Sequence, residues 1–180
     1  MKTKTTRELA FIAMGAALIA VCSWIAVPTA IPFTLQTFAV CLVTALFGLK
    51  TGLATVALYL LLGAAGLPVF SGFKGGIGAL LGTTGGYLAG FLFTALAVGL
   101  AVDKFGRSLP VLIASMVLGI LLCYTFGTAW FVLVYTRESG PIGVGTALGW
   151  CVLPYLLPDA VKIALASLLT GRLYPILNKG

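Results

Sequence analysis

The sequence predicts an all-α integral membrane protein, a bundle of six transmembrane helices with both termini in the cytoplasm. Three observations predict it: an extreme apolar composition, a series of long uncharged runs, and an uneven placement of Lys and Arg. Hydrophobic residues make up 61% of the 180 residues and charged residues 8%, whereas about a quarter of the residues in soluble domains are charged. A chain of this length supplies about six spans of roughly 20 residues each. We therefore expect one membrane-embedded domain over residues 1–180.

Six apolar runs follow one another along the chain, separated by charged or Gly- and Pro-rich segments. They cover residues 9–27, 36–49, 53–62, 87–102, 109–134 and 149–171. Proline disfavours continuous helix, so Pro28 and Pro32 predict a turn over residues 28–35. Lys50 with Gly52 predicts a tight turn between the second and third runs, which are short.

Lys and Arg lie almost entirely between the apolar runs, so the net charge of +7 indicates a membrane topology rather than nucleic-acid binding. If the first span starts inside, eight of these residues are cytoplasmic: Lys2, Lys4, Arg7, Lys50, Lys104, Arg107, Arg172 and Lys179. Only Lys74 and Arg137 fall outside. Such a bias places both termini in the cytoplasm. The aromatic residues near the outer ends of the spans suit a membrane interface, namely Trp24, Trp130, Tyr135, Trp150 and Tyr155.

Residue counts and spacing exclude several kinds of chemistry. The chain has no His, which rules out His metal ligands, His general bases and Ser-His-Asp triads. Its cysteines form no paired spacing and lie in apolar runs, where cysteine packs as a small hydrophobe: Cys22, Cys41, Cys123 and Cys151. No Gly-x-x-x-x-Gly-Lys-Ser/Thr loop is present, so any energy from ATP must come from another chain. We expect a protein that is not an enzyme and that holds no metal or cofactor.

Asp159 and Lys162 are the informative charges, because they lie inside the sixth run. Their spacing places both on one helix face. Each charge at mid-membrane costs about 2.5 to 3.5 kcal/mol on insertion scales, so packing alone is a weak reason to keep a pair there. One interpretation is a mutually neutralising pair that fixes helix packing; the other is a polar anchor for a ligand in an apolar cavity. Pro154 and Pro158 favour the anchor, because a proline frees carbonyls one turn earlier and loosens the helix.

A Gly- and Pro-rich segment over residues 63–86 interrupts the pattern of spans and predicts a lid. Its glycines permit tight turns and a close approach of backbone amides to a ligand. Phe70, Phe73 and Ile77 are apolar enough to fold back over a cavity.

Three polar side chains on the outer side are candidate ligand contacts. Lys74 in the lid segment could attract an anion such as a carboxylate, although a lone loop lysine is more often simply solvated. Thr34 and Gln36, at the start of the second run, could point into the same mouth. Gln36 could equally be a helix-end residue.

Small residues recur at every fourth position in two places. The rows are Ala13 and Ala17 on the first run, with Ala16 and Ala20 beside them, and Gly82, Gly86 and Gly90 near the fourth. Rows of this kind let another helix approach closely. We expect one surface to pack internally and another to face a partner, and the alanines suit an external helix.

Four segments together resemble the biotin-specific substrate-binding subunits (the BioY family) of energy-coupling-factor (ECF) transporters. They are Pro32-Phe-Thr-Leu-Gln-Thr-Phe, Gly66-Leu-Pro-Val-Phe with Gly75-Gly76, Gly85-Gly86-Tyr87-Leu, and Pro158-Asp-Ala-Val-Lys162. The match runs through the whole chain in order. The resemblance implies six helices with both ends inside and a biotin site under the loop between spans three and four. It also implies that the small-residue face docks on a shared transmembrane subunit driven by two ATPase subunits, in a bacterial inner membrane.

Biotin suits the chemistry of these residues, because its ureido ring offers N–H donors and a carbonyl acceptor to a carboxylate and an ammonium. The predicted substrate-binding residues are Asp159, Lys162, Tyr87, Gln36, Thr34, Lys74, Gly75, Gly76 and Phe70. The predicted partner interface is Ala13, Ala16, Ala17 and Ala20. Alternatives are a subunit for another vitamin, or a small proton-coupled transporter with Asp159 as proton carrier. A membrane enzyme is disfavoured, because no nucleophile or metal cluster lies near Asp159 in sequence.

Overall fold

The computed structural model describes the backbone of residues 2–27 and 31–177, and the side chains from Thr6 onward within those ranges. Seven helices make up most of this part of the chain. They are α1 Lys2–Trp24, α2 Gln36–Ala64, α3 Ile77–Leu81, α4 Gly85–Phe105, α5 Leu109–Ser139, α6 Val144–Cys151 and α7 Leu156–Leu177. Short 3-10 turns at Ser71–Phe73 and Leu153–Tyr155 complete the helical elements. The prediction of a mainly helical membrane fold is confirmed.

A short antiparallel pair of strands brackets the predicted turn over residues 28–35, one strand just before it and one inside it. Strand β1, Ala26–Val27, pairs with β2, Phe33–Thr34. The part of the prediction that concerned Pro28 lies outside the described residues. The pair brings Thr34 and the start of α2 close to the end of α1.

Helix α2 folds back on itself at Gly48, whose backbone angles of φ 79° and ψ −175° are not helical. Gln36 lies 12 residues before Gly48 and Tyr59 lies 11 residues after it, yet their side chains are hydrogen-bonded to each other. Closer to the turn, a Cβ on Gly52 would lie 2.8 Å from the Thr44 Cα. Residues 36–47 and 49–64 are therefore two antiparallel helices, about 18 and 24 Å long at 1.5 Å per residue. The turn lies at Gly48, two residues before the predicted Lys50, because only glycine adopts this conformation without strain.

This hairpin gives the described part of the chain six main helical segments, the number predicted. Five helical stretches are long and apolar enough to cross a membrane: Thr6–Trp24, Gln36–Ala64, Gly85–Phe105, Leu109–Ser139 and Val144–Leu177. The second of them contributes both halves of the hairpin. Their outward faces carry large exposed hydrophobic side chains such as Leu118, Leu121 and Leu165, which lipid solvates and water does not.

Helix α2 lies at the centre of the bundle and packs against α1, α4 and α7, while α5 packs against α4 and α7. The glycine row on α4 faces α5: a Cβ on Gly86 would overlap Trp130, and one on Gly90 would lie 2.7 Å from Cys123 Sγ. This row is therefore the internal one of the two small-residue patterns.

The sixth apolar run is not one helix from residue 149, as the sequence suggested. Helix α6 ends at Cys151, a 3-10 turn holds Pro154, and α7 begins at Leu156. Pro158 lies in the first turn of α7, where its missing N–H removes no intrahelical hydrogen bond. The expectation that Pro158 loosens the helix near Asp159 and Lys162 is therefore wrong, whereas the turn that holds Pro154 does interrupt the helix just before the pair.

Basic side chains assigned to the cytoplasm gather at one end of the bundle, here called the capped end. The Arg107 Nε donates to Ala45 O over 2.7 Å, at the point where the first half of α2 runs out of helical donors. At the same turn Leu49 N donates to Asp103 Oδ2 over 3.0 Å. Arg7 donates to the Leu177 carbonyl at the end of α7 over 2.5 Å.

Replacing Gly48 with alanine is expected to lower the free energy of unfolding by about 1 to 3 kcal/mol, because the new Cβ forces a non-glycine residue into a left-handed conformation. Gly171→Ala is the matched control, since this glycine is helical and a Cβ there meets no atom within 4 Å. The control should leave stability unchanged or slightly higher. Thermal unfolding in detergent measures both, and equal melting temperatures would contradict the hairpin.

Candidate ligand-binding site

A cavity opens at the end of the bundle opposite the capped end, and we call this the pocket end. Segments from the β2 region, the 63–86 loop and helices α2, α4, α5, α6 and α7 contribute to its wall. The lining residues are Ile31, Pro32, Thr34, Gln36, Thr37, Phe70, Ser71, Lys74, Ala79, Thr84, Tyr87, Leu88, Phe91, Cys123, Tyr124, Cys151, Tyr155, Asp159 and Lys162. The space between them amounts to about 820 Å³, counted out to the open mouth. Apolar and aromatic walls with a few polar groups are typical of small-molecule sites.

The floor of the cavity holds a buried ion pair. Lys162 Nζ lies 2.7 Å from Asp159 Oδ1, and the two residues are only 5% and 4% exposed. Their spacing of three residues in the first two turns of α7 places both on the face that looks into the cavity. Asp159 also benefits from the first turn of the helix, where backbone N–H groups favour negative charge.

Neighbouring side chains orient the pair without saturating it. Thr37 Oγ1 lies 3.1 Å from Asp159 Oδ1 and 3.2 Å from Lys162 Nζ, so it donates to the carboxylate and accepts from the ammonium. The Tyr124 hydroxyl donates to Asp159 Oδ2. The Phe33 ring lies 4.3 Å from Lys162 Nζ in a cation–π contact. The three N–H groups of Lys162 and the lone pairs of Asp159 exceed these contacts, so a ligand can both donate to and accept from the pair.

Thr34 and Gln36 form a second polar group in the wall. Thr34 Oγ1 donates to Gln36 Oε1 over 2.9 Å and accepts from the Gln36 backbone N–H over 3.2 Å. Gln36 is the first residue of α2, and its amide also donates to the Tyr59 hydroxyl over 2.5 Å. Gln36 is thus both the first residue of a helix and a residue of the cavity wall, and its contact with a ligand stays a prediction.

The loop from α2 to α4 forms a lid at the mouth. Phe70 is buried and lines the cavity, while Lys74 is exposed at its rim. A backbone bridge between Phe70 and Lys74, with Phe70 N donating to Lys74 O over 3.0 Å, closes this turn of the lid. The lid therefore places one apolar and one cationic side chain over the same opening.

Four predicted lid residues have other positions than the sequence suggested. Gly75 and Gly76 do not line the cavity; Gly76 N donates to Gly63 O over 2.7 Å, and a Cβ on Gly75 would overlap Leu67 O. Gly75 shapes the lid because the loop backbone passes too close for a side chain, and Gly76 does so because its φ of 90° favours glycine. Phe73 and Ile77 are 64% and 63% exposed and point away from the cavity, where Phe73 stacks on Trp24 at 5.2 Å.

Tyr87 lines the cavity from the start of α4. Its hydroxyl lies 2.8 Å from Thr128 Oγ1 on α5. A Cβ at Gly127 would overlap the Tyr87 ring, so this glycine makes the space for it. The glycine fixes the ring against α5 and leaves one ring face to the cavity.

The chain matches a known protein family. The family model described as the BioY family matches residues 1–179. The chain belongs to the BioY family. It is 40% identical over 168 residues to the biotin transporter BioY of Thermotoga maritima, covering 93% of this chain and 95% of that one. It is 43% identical over 171 residues to the biotin transporter BioY2 of Lactococcus lactis subsp. cremoris, covering 93% and 90%.

A solved structure has the same fold as this BioY-family chain. It is the crystal structure at 2.1 Å of the S-component for biotin from an ECF-type ABC transporter. The two superpose with a TM-score of 0.85 at 26% identity, over 96% of this chain and 93% of that one. The bundle with its hairpin and lid is therefore a known S-component architecture.

Sequence reasoning missed two residues of this cavity, Thr37 and Tyr124, whose hydroxyls are hydrogen-bonded to the ion pair. Thr37 stood inside the Pro32–Phe38 motif but was not singled out. Tyr124 lies in the most apolar run of the chain, and a buried tyrosine hydroxyl in such a run needs a partner. That requirement was the available signal, and Asp159 is the partner.

Aromatic side chains at the pocket end tether the loops around the mouth. Trp24 Nε1 donates to Pro68 O and Trp130 Nε1 to Gly82 O, each over 2.9 Å, and the Tyr155 hydroxyl donates to Ile31 O. The sequence suggested an interfacial role for these rings. Their polar atoms in addition hold three separate loop segments in place.

The four alanines of α1 that were predicted as a partner interface differ in exposure. Ala13 and Ala17 are exposed on the outer surface of the helix, whereas Ala16 and Ala20 are 3% and 7% exposed and pack inside the bundle. Assigning Ala16 and Ala20 to a partner interface was therefore wrong, because α2 already covers them. Of these four, Ala13 and Ala17 lie on a surface that another helix can reach.

Proposed function

We propose that this BioY-family chain is the biotin-binding component of an ECF-type transporter, capturing biotin at the pocket end and delivering it across the membrane. The observation that carries the proposal is the buried Asp159–Lys162 pair at the floor of a largely apolar cavity. The curated relatives named as biotin transporters and the solved S-component for biotin support it. Binding rather than catalysis is the task this geometry suits.

Biotin matches the cavity group by group. Its ureido N–H donors suit Asp159 Oδ2 and its ureido carbonyl suits the Lys162 ammonium. Its thiophane ring and aliphatic chain suit apolar walls formed by Leu88, Phe91 and Tyr87. Its carboxylate would then lie near the rim, where Lys74 supplies a positive charge.

Partner subunits supply the energy in this proposal. The chain carries no phosphate-binding loop sequence, so two ATPase subunits act through a transmembrane ECF subunit. The exposed Ala13–Ala17 face of α1 is the proposed docking surface, because small side chains allow close helix approach within a bilayer.

Orientation follows from charge. Arg7, Lys50, Lys104, Arg107 and Arg172 belong to helix ends or turns assigned to the cytoplasm, and several of them lie at the capped end. The excess of Lys and Arg in cytoplasmic loops of membrane proteins supports a cytoplasmic capped end and an outer pocket end, in a bacterial inner membrane. Lys2, Lys4 and Lys179 strengthen the count, but their side chains lie outside the described residues.

Titration of the purified chain with a set of vitamins tests the substrate. Biotin and desthiobiotin, which share the ureido ring and the carboxylate, should bind, and thiamine and riboflavin should not. Lys74→Met should weaken biotin by about threefold to tenfold while leaving biotinamide, which lacks the carboxylate charge, unchanged. Lys104→Met is the control, because this exposed lysine lies in the last turn of α4, away from the cavity. Preference for another vitamin would refute the assignment to biotin.

Labelling from one side of the membrane tests the orientation. In a variant with Lys74→Cys, a membrane-impermeant maleimide added outside intact cells should react, because position 74 is exposed at the rim. A reporter fused after Gly180 should be active in the cytoplasm. Outside labelling of Lys104→Cys would contradict the proposed topology.

Larger side chains on the exposed face of α1 should block assembly. Ala13→Leu and Ala17→Leu are expected to leave biotin affinity unchanged but to reduce co-purification with the ECF transmembrane subunit by at least about tenfold. Ala164→Leu, at an exposed alanine of α7, is the matched control. If these variants lose biotin binding but assemble normally, the Ala13–Ala17 face packs inside the bundle and is not the docking surface.

A further inference from the structure

Two buried hydroxyls converge on one carbonyl of the lid. Ser23 Oγ, at the end of α1, lies 2.6 Å from Val69 O, and the Tyr59 hydroxyl, on the second half of α2, lies 3.0 Å from the same atom. Ser23 Oγ is also 2.7 Å from Ala20 O, so its single proton is shared between two carbonyls. Val69 directly precedes Phe70, the lid residue that lines the cavity. This carbonyl is therefore one point at which the bundle holds the lid, and two side chains converge on it.

The Tyr59 hydroxyl also faces the cavity wall. It accepts a hydrogen bond from Gln36 Nε2 over 2.5 Å while it donates to Val69 O. The Tyr59 ring meets the Phe70 ring edge-on, with centroids 5.5 Å apart. Gln36 lines the cavity, but Tyr59 and Ser23 do not, and both are fully buried. A continuous chain of hydrogen bonds thus joins a cavity amide to the lid backbone through a residue that a ligand cannot touch.

We propose that Tyr59, assisted by Ser23, is a positioning residue that couples occupancy of the cavity to closure of the lid. The proposal rests on the proposed function, in which the cavity binds biotin. A ligand that donates a hydrogen bond to Gln36 Oε1 polarises the amide so that its N–H donates more strongly to Tyr59, and the Tyr59 O–H then donates more strongly to Val69 O. Binding therefore tightens the hold on the lid, and a tighter lid slows release of the ligand.

The shared carbonyl makes the effects of the two hydroxyls non-additive. In Tyr59→Phe, Val69 O keeps Ser23 as a donor, and in Ser23→Ala it keeps Tyr59. In the double variant both donors are gone, and the carbonyl must find water, which requires the lid to open. The double variant should therefore speed biotin dissociation by more than the product of the fold-changes in the two single variants. Independent contacts would give only that product.

Biotin dissociation and hydrogen exchange of the 66–76 segment test the coupling. Tyr59→Phe should speed biotin dissociation by about threefold to tenfold, the range for one lost hydrogen bond, while association changes little. Lid amides that are hydrogen-bonded, such as Phe70 N and Gly76 N, should exchange faster than in the parent. The control is Thr94→Val, which removes a buried hydroxyl that bonds Gly119 O between α4 and α5, away from the lid. Thr94→Val should leave lid exchange and biotin dissociation as they are in the parent.

The proposal would be overturned if Tyr59→Phe and the double variant have the same rates of lid hydrogen exchange and biotin dissociation as Thr94→Val. Hydrogen exchange of the ligand-free protein needs no biotin, so it tests the hold on the lid separately. If the parent binds no biotin but lid amides exchange faster in Tyr59→Phe than in the parent, the proposed substrate is wrong. The role of Tyr59 in holding the lid would then stand. If Tyr59→Phe does not fold, Ser23→Ala provides the test, because it removes a donor to the same carbonyl; unchanged lid exchange there overturns the proposal.

Discussion

The buried ion pair between Asp159 and Lys162 sets the constraint on which the site depends. Two charges inside a bundle surrounded by lipid are costly to desolvate, and their attraction offsets that cost only when the geometry is good and the remaining polar atoms are satisfied. Here the separation is 2.7 Å, and Thr37, Tyr124 and Phe33 contribute further contacts. Helices α2, α5 and α7 must therefore meet at one point, and the cavity lies where they do.

The two ends of the bundle are built differently, and the difference suits a binding protein. At the capped end, Arg107 and Asp103 satisfy backbone groups of the tight turn at Gly48, which fixes the base of the central hairpin. At the pocket end, single hydrogen bonds from aromatic side chains hold separate loops. Loops held by few contacts open locally at lower free energy than a packed core does. Ligand access through the pocket end then leaves the core undisturbed.

The sequence predicted the larger features because they are encoded by composition and by rare residues. Apolar runs predicted six segments, and charges inside a span singled out Asp159 and Lys162 before any geometry was known. The hairpin was predicted two residues too late, because Lys50 and Gly52 drew attention from Gly48, whose positive φ becomes visible only in the structure. Tyr124 was missed because a tyrosine in an apolar helix is usually a packing residue. The structure shows that its hydroxyl donates to a carboxylate on another helix.

Side-chain direction was the least predictable feature. Phe70 and Phe73 lie three residues apart in a glycine-rich loop, yet one lines the cavity and the other stacks on Trp24 outside. The positive φ of Gly72 and of Phe73 sets these directions, and no periodicity announces such a turn. The same holds on α1, where spacings of three and four residues put Ala13, Ala16, Ala17 and Ala20 on one stripe of the helix. Only the structure shows that the boundary of the buried surface divides this stripe, with Ala16 and Ala20 buried and Ala13 and Ala17 exposed.

A double-mutant cycle of stability and biotin affinity tests whether the Asp159–Lys162 pair serves the ligand or serves helix packing alone. Asp159→Asn and Lys162→Met should each lower stability, by up to about 3 to 5 kcal/mol, because each leaves a buried charge without its partner. The double variant should regain stability, since no unpaired charge remains. If the pair anchors the ligand, that refolded double variant should still bind biotin at least about tenfold more weakly than the parent. A stable double variant with the biotin affinity of the parent would contradict the account.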